Sequence, residues 1–517
     1  MTLLRAIATV GSFTMLSRIT GFARDILIAG LLGAGMVADA FFVAFKFPNL
    51  FRRLFAEGAF SAAFVPLFAG LHETEGKDAA RRFAEEAMAV LGWTLLLLVA
   101  AMEIAMPWAM LVFAPGFDAV PGKMELATAL TRLTFPYLLF VSLVSLQGGV
   151  LNSIGKFAAA AAAPVILNLG LIAALLTLTP LLPTPGHALA WGTSLAGIVQ
   201  FVWLMVAMRR AGVNLRFVRP RLTTPVRLLM RRVVPGAVGA GVYQVNLLVD
   251  TMLASLLAEG AVSFLYYADR INQLPLGVVG SAVGTALLPI MSRHLRGGRG
   301  DAAMHTQNRA IEFALLLTLP ATAAMTALCG PMVSVLFERG RFGAEEVQAT
   351  AAALAAFSLG LPAYVLIKVL TPGFFAREDT ATPVKVAVFA LIANVGLNLL
   401  LMKPFGHVGI ALATALSAWI NCGILAWLLL SRGHLAADQR LRRRLPRIVL
   451  ASLGLAATLV AVGSGLGPLW AEPSLLLRGG LLAALVVGGM AVFAMLAQIT
   501  GAASFSELRN VARRGAA

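Results

Sequence analysis

Eight ionisable side chains lie between residues 18 and 57, in a stretch otherwise apolar enough to cross a bilayer twice. An Arg, Lys or Asp at membrane depth costs about 2.5–3.5 kcal/mol, so a chain that only had to span would not place them there. These groups must face protein or a water-filled cavity, and a cavity suggests a transported solute. The eight are Arg18, Arg24, Asp25, Asp39, Lys46, Arg52, Arg53 and Glu57.

The spacing of four of these residues puts them on one helical face. Asp39, Lys46, Arg53 and Glu57 are separated by 7, 7 and 4 residues, which places them within about 40° of one another around a helix. The eight residues comprise five cations and three acids, a net charge of +2. Guanidinium groups bind phosphate through two hydrogen bonds, and Lys acts as a point charge. The pattern therefore predicts a site for a polyanion such as a pyrophosphate.

The second half of the chain adds Arg270, in the segment YYADRINQLP. The predicted substrate-binding residues are Arg18, Arg24, Asp25, Asp39, Lys46, Arg52, Arg53 and Arg270. Two other interpretations stay open: Arg52 and Arg53 would snorkel to the cytoplasmic surface, and the deeper arginines would form internal salt bridges. Full transport by Arg24→Ala and Arg270→Ala variants would exclude the phosphate site.

A second polar group is a candidate site for a coupling cation. Asp250 follows Gln244 and Asn246, and Asn394 precedes Asn398 by four residues. An acid with amide oxygens could hold Na⁺, or Asp250 could carry a proton. Hydrogen bonds between helices explain these residues equally well. Asp250 and Asn394 are therefore candidate cation ligands, and no cofactor is expected.

Composition indicates an all-α polytopic membrane protein. Of the 517 residues, 59% are apolar and 13% charged, whereas soluble domains carry about 25% charged residues. A net charge of +17 would suggest nucleic acid in a soluble protein. Here the basic residues concentrate in alternate loops, as the positive-inside rule describes, so we expect no nucleic-acid partner. Cys329 and Cys422 lie far apart in apolar runs, which excludes a disulfide framework.

About fourteen stretches have the roughly 20 mostly apolar residues that a span needs. They lie near 5–30, 36–64, 86–113, 127–151, 158–180, 187–208, 233–258, 262–290, 310–336, 347–371, 383–402, 407–430, 447–467 and 475–499. The basic loops place both termini in the cytoplasm, which requires an even number of spans. Three polar segments, 222–232, 291–305 and 436–446, are predicted to be basic amphipathic helices on the cytoplasmic face.

An internal repeat relates the two halves of the chain. Asp25 and Asp250 are 225 residues apart, and Asn168 and Asn394 are 226 apart. Repeats of six spans keep the same orientation and are related by an axis along the membrane normal. The predicted architecture is two pseudo-symmetric six-helix lobes, 1–210 and 225–430, around a central cationic cavity, with two further transmembrane helices at 447–500.

Four segments resemble one family of transporters. They are SRITGFARD (17–25), ADAFFVAFKFPNLFRRLFAEGAFSAAFVP (38–66), YYADRINQLPLGVVGSAVGTALLP (266–289) and FFAREDTATP (374–383). They are similar to the MurJ (MviN) family of the multidrug/oligosaccharidyl-lipid/polysaccharide exporter superfamily, and the similarity covers the whole chain. The family's functional charged positions match Arg18, Arg24, Asp39, Arg52, Arg53 and Arg270, with Asp25 and Lys46 beside them.

The resemblance implies a flippase of lipid II in the bacterial cytoplasmic (inner) membrane. Such a protein moves the undecaprenyl-pyrophosphate-linked disaccharide-pentapeptide to the periplasmic leaflet by alternating access, and its last two helices form a groove for the polyprenyl tail. Membrane lipids and cell-wall synthesis proteins are the other candidate partners. Candidate energy sources are the membrane potential, worth about 2.3 kcal/mol per charge per 100 mV, and gradients of Na⁺ or H⁺.

Three alternative functions stay open. The first is a related oligosaccharide-lipid flippase or a cation-coupled exporter, although a site for organic cations would be acidic. The second is a scaffold for cell-wall synthesis that does not transport. The third is a membrane enzyme acting on polyprenyl phosphate, but the sequence contains no HExxH, GxSxG or P-loop pattern. We therefore expect a transporter and no enzyme.

Overall fold

The structure is a computed structural model that describes residues 3–55, 59–470, 472 and 474–503, and this part of the chain is almost entirely helical. Its first nine α-helices are α1 (Leu3–Leu32), α2 (Met36–Phe55), α3 (Ala59–Thr74), α4 (Lys77–Phe113), α5 (Lys123–Thr134), α6 (Tyr137–Ser153), α7 (Ala158–Leu178), α8 (Pro185–Arg210) and α9 (Thr224–Ser255). The others are α10 (Ala261–Arg296), α11 (Gly300–Ala327), α12 (Cys329–Phe337), α13 (Ala344–Ser358), α14 (Leu361–Phe375), α15 (Ala381–Ser431), α16 (Gln439–Gly465), α17 (Gly467–Trp470) and α18 (Leu475–Thr500). The all-α fold class is thereby confirmed.

The chain folds as two compact units. Unit 1 comprises Met1–Ser263 and Arg339–Phe342, and unit 2 comprises Phe264–Glu338 and Gly343–Ala517. The first boundary falls inside α10, and the other two flank the turn between α12 and α13. The predicted lobes, 1–210 and 225–430, and the helix pair at 447–500 were defined by the internal repeat, and that division stays a prediction.

Unit 1 is built on long apolar helices and a core rich in phenylalanine. In it α7 packs against α1 and α8, α2 against α5, and α9 against α2 and α3. The ring of Phe47 in α2 lies 4.2 Å from that of Phe113 and 5.2 Å from that of Phe135. Edge-to-face and tilted pairs of this kind add to the area that the rings bury. This aromatic core holds α2, the helix with most of the predicted site, against α4 and α5.

Unit 2 places its last long helices against α11 and α12. α16 packs on α11 and α18, and α18 also contacts α12. Glu312 of α11 is buried and accepts hydrogen bonds from Arg309, Arg440 and Arg444. Near the beginning of α18, Arg478 donates to Glu338 at 2.8 Å. Ion pairs therefore fix the α16–α18 pair to α11 and α12 at two separate points.

Several predicted spans are interrupted helices. The span predicted at 127–151 is divided between α5 and α6 at Phe135–Pro136, and the span at 347–371 is divided between α13 and α14 just before Pro362. Because Pro lacks a backbone N–H, it favours a break at each place. α15 covers two predicted spans and bends at Gly406, whose φ is +57°. Nine helical stretches of the described chain have the length and hydropathy to span a membrane, and the count of fourteen stays a prediction.

The prediction of three separate amphipathic helices is wrong. Residues 224–232 are the first turns of α9, and 439–446 are the first turns of α16. The segment 291–305 is divided between the end of α10 and the beginning of α11. Two of these basic segments continue into long apolar helices even though Pro235 and Pro446 lie at the junctions. Their charges therefore sit on the ends of the spanning helices.

Candidate functional site

The first cluster of predicted residues joins α1 to α7 within unit 1. Arg24 and Asp25 are only 4% and 2% exposed. The Arg24 guanidinium donates to Asp25 Oδ1 at 2.7 and 3.0 Å, and to Asn168 Oδ1 at 2.9 Å. The Asn168 amide in turn donates to the carbonyl of Ser17 at 2.9 Å. Arg24 therefore has a buried carboxylate and a buried amide as internal partners in this conformation.

The second cluster surrounds Asp39 in the first turn of α2, where it is 1% exposed. Asp39 Oδ2 accepts from Lys123 Nζ at 2.8 Å and from the Gly260 backbone N–H at 2.9 Å. Its Oδ1 accepts from the Ser263 N–H at 3.0 Å and the Ser263 hydroxyl at 2.6 Å. A carboxylate at a helix N-terminus is favoured by the helix dipole, so Asp39 fixes the beginning of α10 to α2.

Lys123 completes the Asp39 cluster. It is 3% exposed, and its ammonium lies 4.4 Å from the centre of the Phe117 ring. Sequence reasoning did not single out Lys123 or Ser263, because each joins Asp39 only through tertiary packing. A lysine in the first turn of α5, following the polar turn that ends at Gly122, was the one local signal.

The other predicted cations of unit 1 are less buried. Lys46 is half-buried and donates to the Thr251 hydroxyl of α9 at 3.3 Å. Arg52 is half-buried and donates to the Asn49 side chain at 3.0 Å, and Arg18 is exposed on α1. The side chain of Arg53 and the whole of Glu57 lie outside the described residues.

The turn between α12 and α13 packs on the end of α1 within unit 1. The Arg341 backbone N–H donates to the Gly30 carbonyl at 2.9 Å. Gly33 and Gly340 have φ of +67° and +57°, and a Cβ on either would lie within 2.6 Å of a backbone oxygen across the contact. Glycine is therefore required at both positions for the two backbones to approach this closely.

In unit 2, Arg270 is half-buried on α10, and its guanidinium donates to the Tyr266 hydroxyl at 3.0 and 3.2 Å. Asp269, its neighbour, accepts from Gln273 one turn further on. These contacts hold the Arg270 side chain along the surface of its own helix.

The two candidate cation ligands lie in different units. Asp250 is half-buried on α9 in unit 1. Asn394 is buried in unit 2, where its oxygen accepts from Asn398 at 2.9 Å and its nitrogen approaches the Ser417 hydroxyl at 3.4 Å. Among the described residues, no three His, Cys, Asp or Glu side chains group as metal ligands would. A role for Asp250 and Asn394 in ion binding stays a prediction.

A polar cluster outside the spanning segments closes the junction between α14 and α15. Asp379 accepts from the Thr382 hydroxyl and backbone N–H and from Arg432, and these contacts lower its pKa to about 2. Burial, together with the charges of Arg377 and Arg432, lowers the pKa of His434. The carboxylate is therefore ionised and the imidazole neutral at physiological pH.

The helical architecture, with ion pairs buried inside apolar helices, defines a multi-pass membrane protein with a transporter fold. A solved structure of lipid II flippase MurJ in an inward closed conformation has a TM-score of 0.79 and 24% identity, and the match covers 95% of this chain and 98% of that one. An inward-facing MATE family multidrug resistance transporter of the MOP superfamily has a TM-score of 0.67 and 16% identity, with 83% and 98% covered. These likenesses show the fold.

Sequence comparison shows the family. The model of the family described as lipid II flippase MurJ matches residues 28–479. A probable lipid II flippase MurJ of Rhizobium meliloti is 47% identical over 100% of this chain and 97% of its own length. A lipid II flippase MurJ of Burkholderia cenocepacia is 37% identical over 88% of this chain and 89% of its own length. The chain belongs to the MurJ family of lipid II flippases, which confirms the resemblance drawn from its motifs.

Proposed function

We propose that this protein flips lipid II, carrying its pyrophosphate-linked head group from the cytoplasmic to the periplasmic leaflet of the bacterial inner membrane. The observation that carries the proposal is the match to curated lipid II flippases over essentially the whole chain. The cations buried in spanning helices support it, because the free energy of binding a pyrophosphate would offset part of the cost of keeping arginines at membrane depth. No covalent step is needed, so the protein is proposed to act without enzymatic chemistry.

Substrate binding at Arg24 would be an exchange of partners. The guanidinium already has Asp25 and Asn168 as hydrogen-bond partners, so a phosphate would have to compete with them. A phosphate offers more acceptor oxygens and more charge than the single carboxylate that it would replace. Such an exchange would let the protein bind lipid II without a bare cation in the resting state.

Alternating access would require the Asp39 contacts to change. As long as Asp39 accepts from Gly260 and Ser263, the first turn of α10 is fixed to α2. Breaking these bonds would expose a buried carboxylate, so the step would be slow unless the carboxylate gained water or another donor. We propose that this exchange accompanies the change from one access state to the other.

Resetting is proposed to use the membrane potential or a gradient of Na⁺ or H⁺. Asp250 and Asn394 are the candidate groups for an ion, whereas the amide-to-amide hydrogen bond of Asn394 supports a role in helix packing. Flipping in liposomes with an imposed potential, with and without Na⁺, distinguishes these sources. If collapse of the potential leaves the rate unchanged, the potential is not the driving force.

The experiment that tests the function is an accessibility assay in cells depleted of their own flippase. Lipid II should accumulate in the cytoplasmic leaflet, and expression of this chain should restore its appearance outside. Arg24→Ala and Arg270→Ala should fail to restore it, while Arg209→Ala, an exposed arginine at the end of α8, serves as the charge-matched control. Rescue of growth by both site variants without flipping would indicate a scaffold.

A further inference from the structure

Lys368 is a charged side chain that the site described above does not use. It lies in α14, and the fifteen residues of that helix, LPAYVLIKVLTPGFF, contain no other charged side chain. Its position is seven residues before Phe375, about 10 Å from the end of the helix at 1.5 Å per residue. An ammonium at this depth needs an explanation, because an unpaired cation in a span costs on the order of 2.5–3.5 kcal/mol.

Five arginines of unit 2 have acidic partners in the folded protein. Arg309, Arg440 and Arg444 pair with Glu312, Arg432 pairs with Asp379, and Arg478 pairs with Glu338. Lys368 has no such partner: within the described chain its ammonium makes neither a hydrogen bond nor an ion pair, and its side chain is exposed. The contrast indicates that no acidic residue of the described chain supplies its counter-charge.

The backbone of α10 is shaped to receive this side chain. A Cβ on Gly280 would lie 2.8 Å from Lys368 Nζ, 3.1 Å from its Cδ and 3.4 Å from its Cε. The lysine stem therefore lies against a position of α10 where a side chain is missing. This packing holds the Lys368 side chain, including its ammonium, against α10.

Gly280 and Arg270 are on neighbouring faces of the same helix. They are ten residues apart, which corresponds to about 15 Å along the axis and about 80° around it. Arg270 belongs to the predicted substrate-binding set, and Lys368 lies further along α10, toward the helix end at Arg296. Arg270 and Lys368 thus offer positive charge at two levels along α10, a geometry suited to an anion that moves along the helix.

We propose that Lys368 is an additional phosphate-binding residue, which contacts the pyrophosphate of lipid II at a second position along α10. The inference rests on the proposed flippase function. A lysine suits a transient contact, because its ammonium is a point charge that does not require the fixed two-bond geometry of an arginine. The ligand chemistry is that of a lipid-linked pyrophosphate, which offers the ammonium more negative charge and more acceptor oxygens than a monophosphate does.

The test measures binding of lipid II, undecaprenyl pyrophosphate and undecaprenyl phosphate to the full-length protein in nanodiscs. Lys368→Met should weaken binding of the two pyrophosphates about tenfold, the scale of one hydrogen bond to a charged group, and should weaken the monophosphate much less. Lys368→Arg should restore most of the affinity. Lys385→Met is the matched control, because Lys385 is an exposed lysine of the same unit near the beginning of α15.

Gly280→Ala provides an independent variant that keeps the lysine. Its methyl group would occupy the position beside Nζ, so it should displace the ammonium and weaken pyrophosphate binding in the wild-type background. In the Lys368→Met background the same change should have no further effect. Such a cycle reports on the lysine itself and not on general damage to α10.

The possible results separate the inference from the function on which it rests. If the wild type binds and flips lipid II while Lys368→Met does so equally well, the lysine only reaches toward lipid head groups and the inference is wrong. Equal losses for pyrophosphate and monophosphate would show a structural effect and overturn it too. If the wild type neither binds nor flips lipid II, the proposed function itself fails.

Discussion

The Asp39 cluster makes an unequal prediction for two substitutions of one ion pair. Asp39 receives four hydrogen bonds, from Lys123, the Gly260 N–H and both donors of Ser263. In Lys123→Met the carboxylate keeps three of these donors and the N-terminus of α10. The expected loss is that of one charge-assisted hydrogen bond, about 1.5–3 kcal/mol of unfolding free energy.

Asp39→Asn should be more damaging. Whichever way the amide is turned, its NH₂ group faces a donor: Lys123 and Gly260 on one side, or Ser263 on the other. In either orientation Lys123, at 3% exposure, would be a buried cation without a carboxylate as counter-charge. Breaking a buried pair in this way costs about 3–5 kcal/mol. The double variant Asp39→Asn/Lys123→Met should recover part of that loss, because it also removes the buried ammonium that has lost its carboxylate.

The assay is reversible unfolding of the purified protein in mixed micelles, followed by helical signal and compared among wild type, both single variants and the double variant. Equal or greater loss for Lys123→Met would refute the reasoning, since it would mean that the backbone and Ser263 donors do not hold the carboxylate. A double variant with the full sum of both losses would also refute it, because the two groups would then be energetically independent.

Two further predictions concern unit 2. Glu312→Gln should lower the unfolding free energy by about 1–3 kcal/mol, less than for a fully buried pair because the Arg440 side chain is 46% exposed. The variant should be cleaved faster by protease in the 432–438 loop. Unchanged cleavage would show that Glu312 does not anchor α16 to α11. Asp379→Asn should destabilise the protein at neutral pH. The contacts with Thr382 and Arg432 hold the Asp379 pKa at about 2, below the ordinary 3.8, so this stabilisation is complete above pH 3.8 and disappears as the pH falls through 2. Unfolding measured from pH 7 downward should show the two proteins converging, and a constant difference would exclude this carboxylate as the cause.

The fold class was predictable because its signal is distributed along the whole chain. The prediction rests on apolar stretches of spanning length and on charges confined to alternate loops, so a wrong interpretation of any single residue does not change it. Helix breaks were harder to predict. Pro136 and Pro362 lie inside continuous apolar runs, and their positions did not reveal that α5 and α13 end just before them. Helix propensity indicates where a helix can be broken at little cost in free energy, and tertiary packing decides whether the break occurs.

The site residues were predictable in part for a related reason. An ionisable residue in a span stands out energetically, so Arg24, Asp25 and Asp39 could be found from cost alone. Their partners could not, since Asn168, Lys123 and Ser263 are ordinary residues in sequence and become significant only when distant helices meet. For the same reason the helical face shared by Asp39 and Lys46 did not reveal that Asp39 is enclosed while Lys46 is half-buried.

These partners change what the excess of cations means. Arg24 and Asp39, two of the most buried charges in unit 1, already have oppositely charged partners, which offset part of the desolvation cost of keeping them inside. An anionic ligand can therefore gain at Arg24 only the difference between its own interaction and that of Asp25. That difference is small compared with the gross attraction, so binding can be reversible even with several arginines nearby. A carrier that must release its cargo at the other face of the membrane needs this balance, and a strip of unpaired arginines would hold the pyrophosphate too tightly.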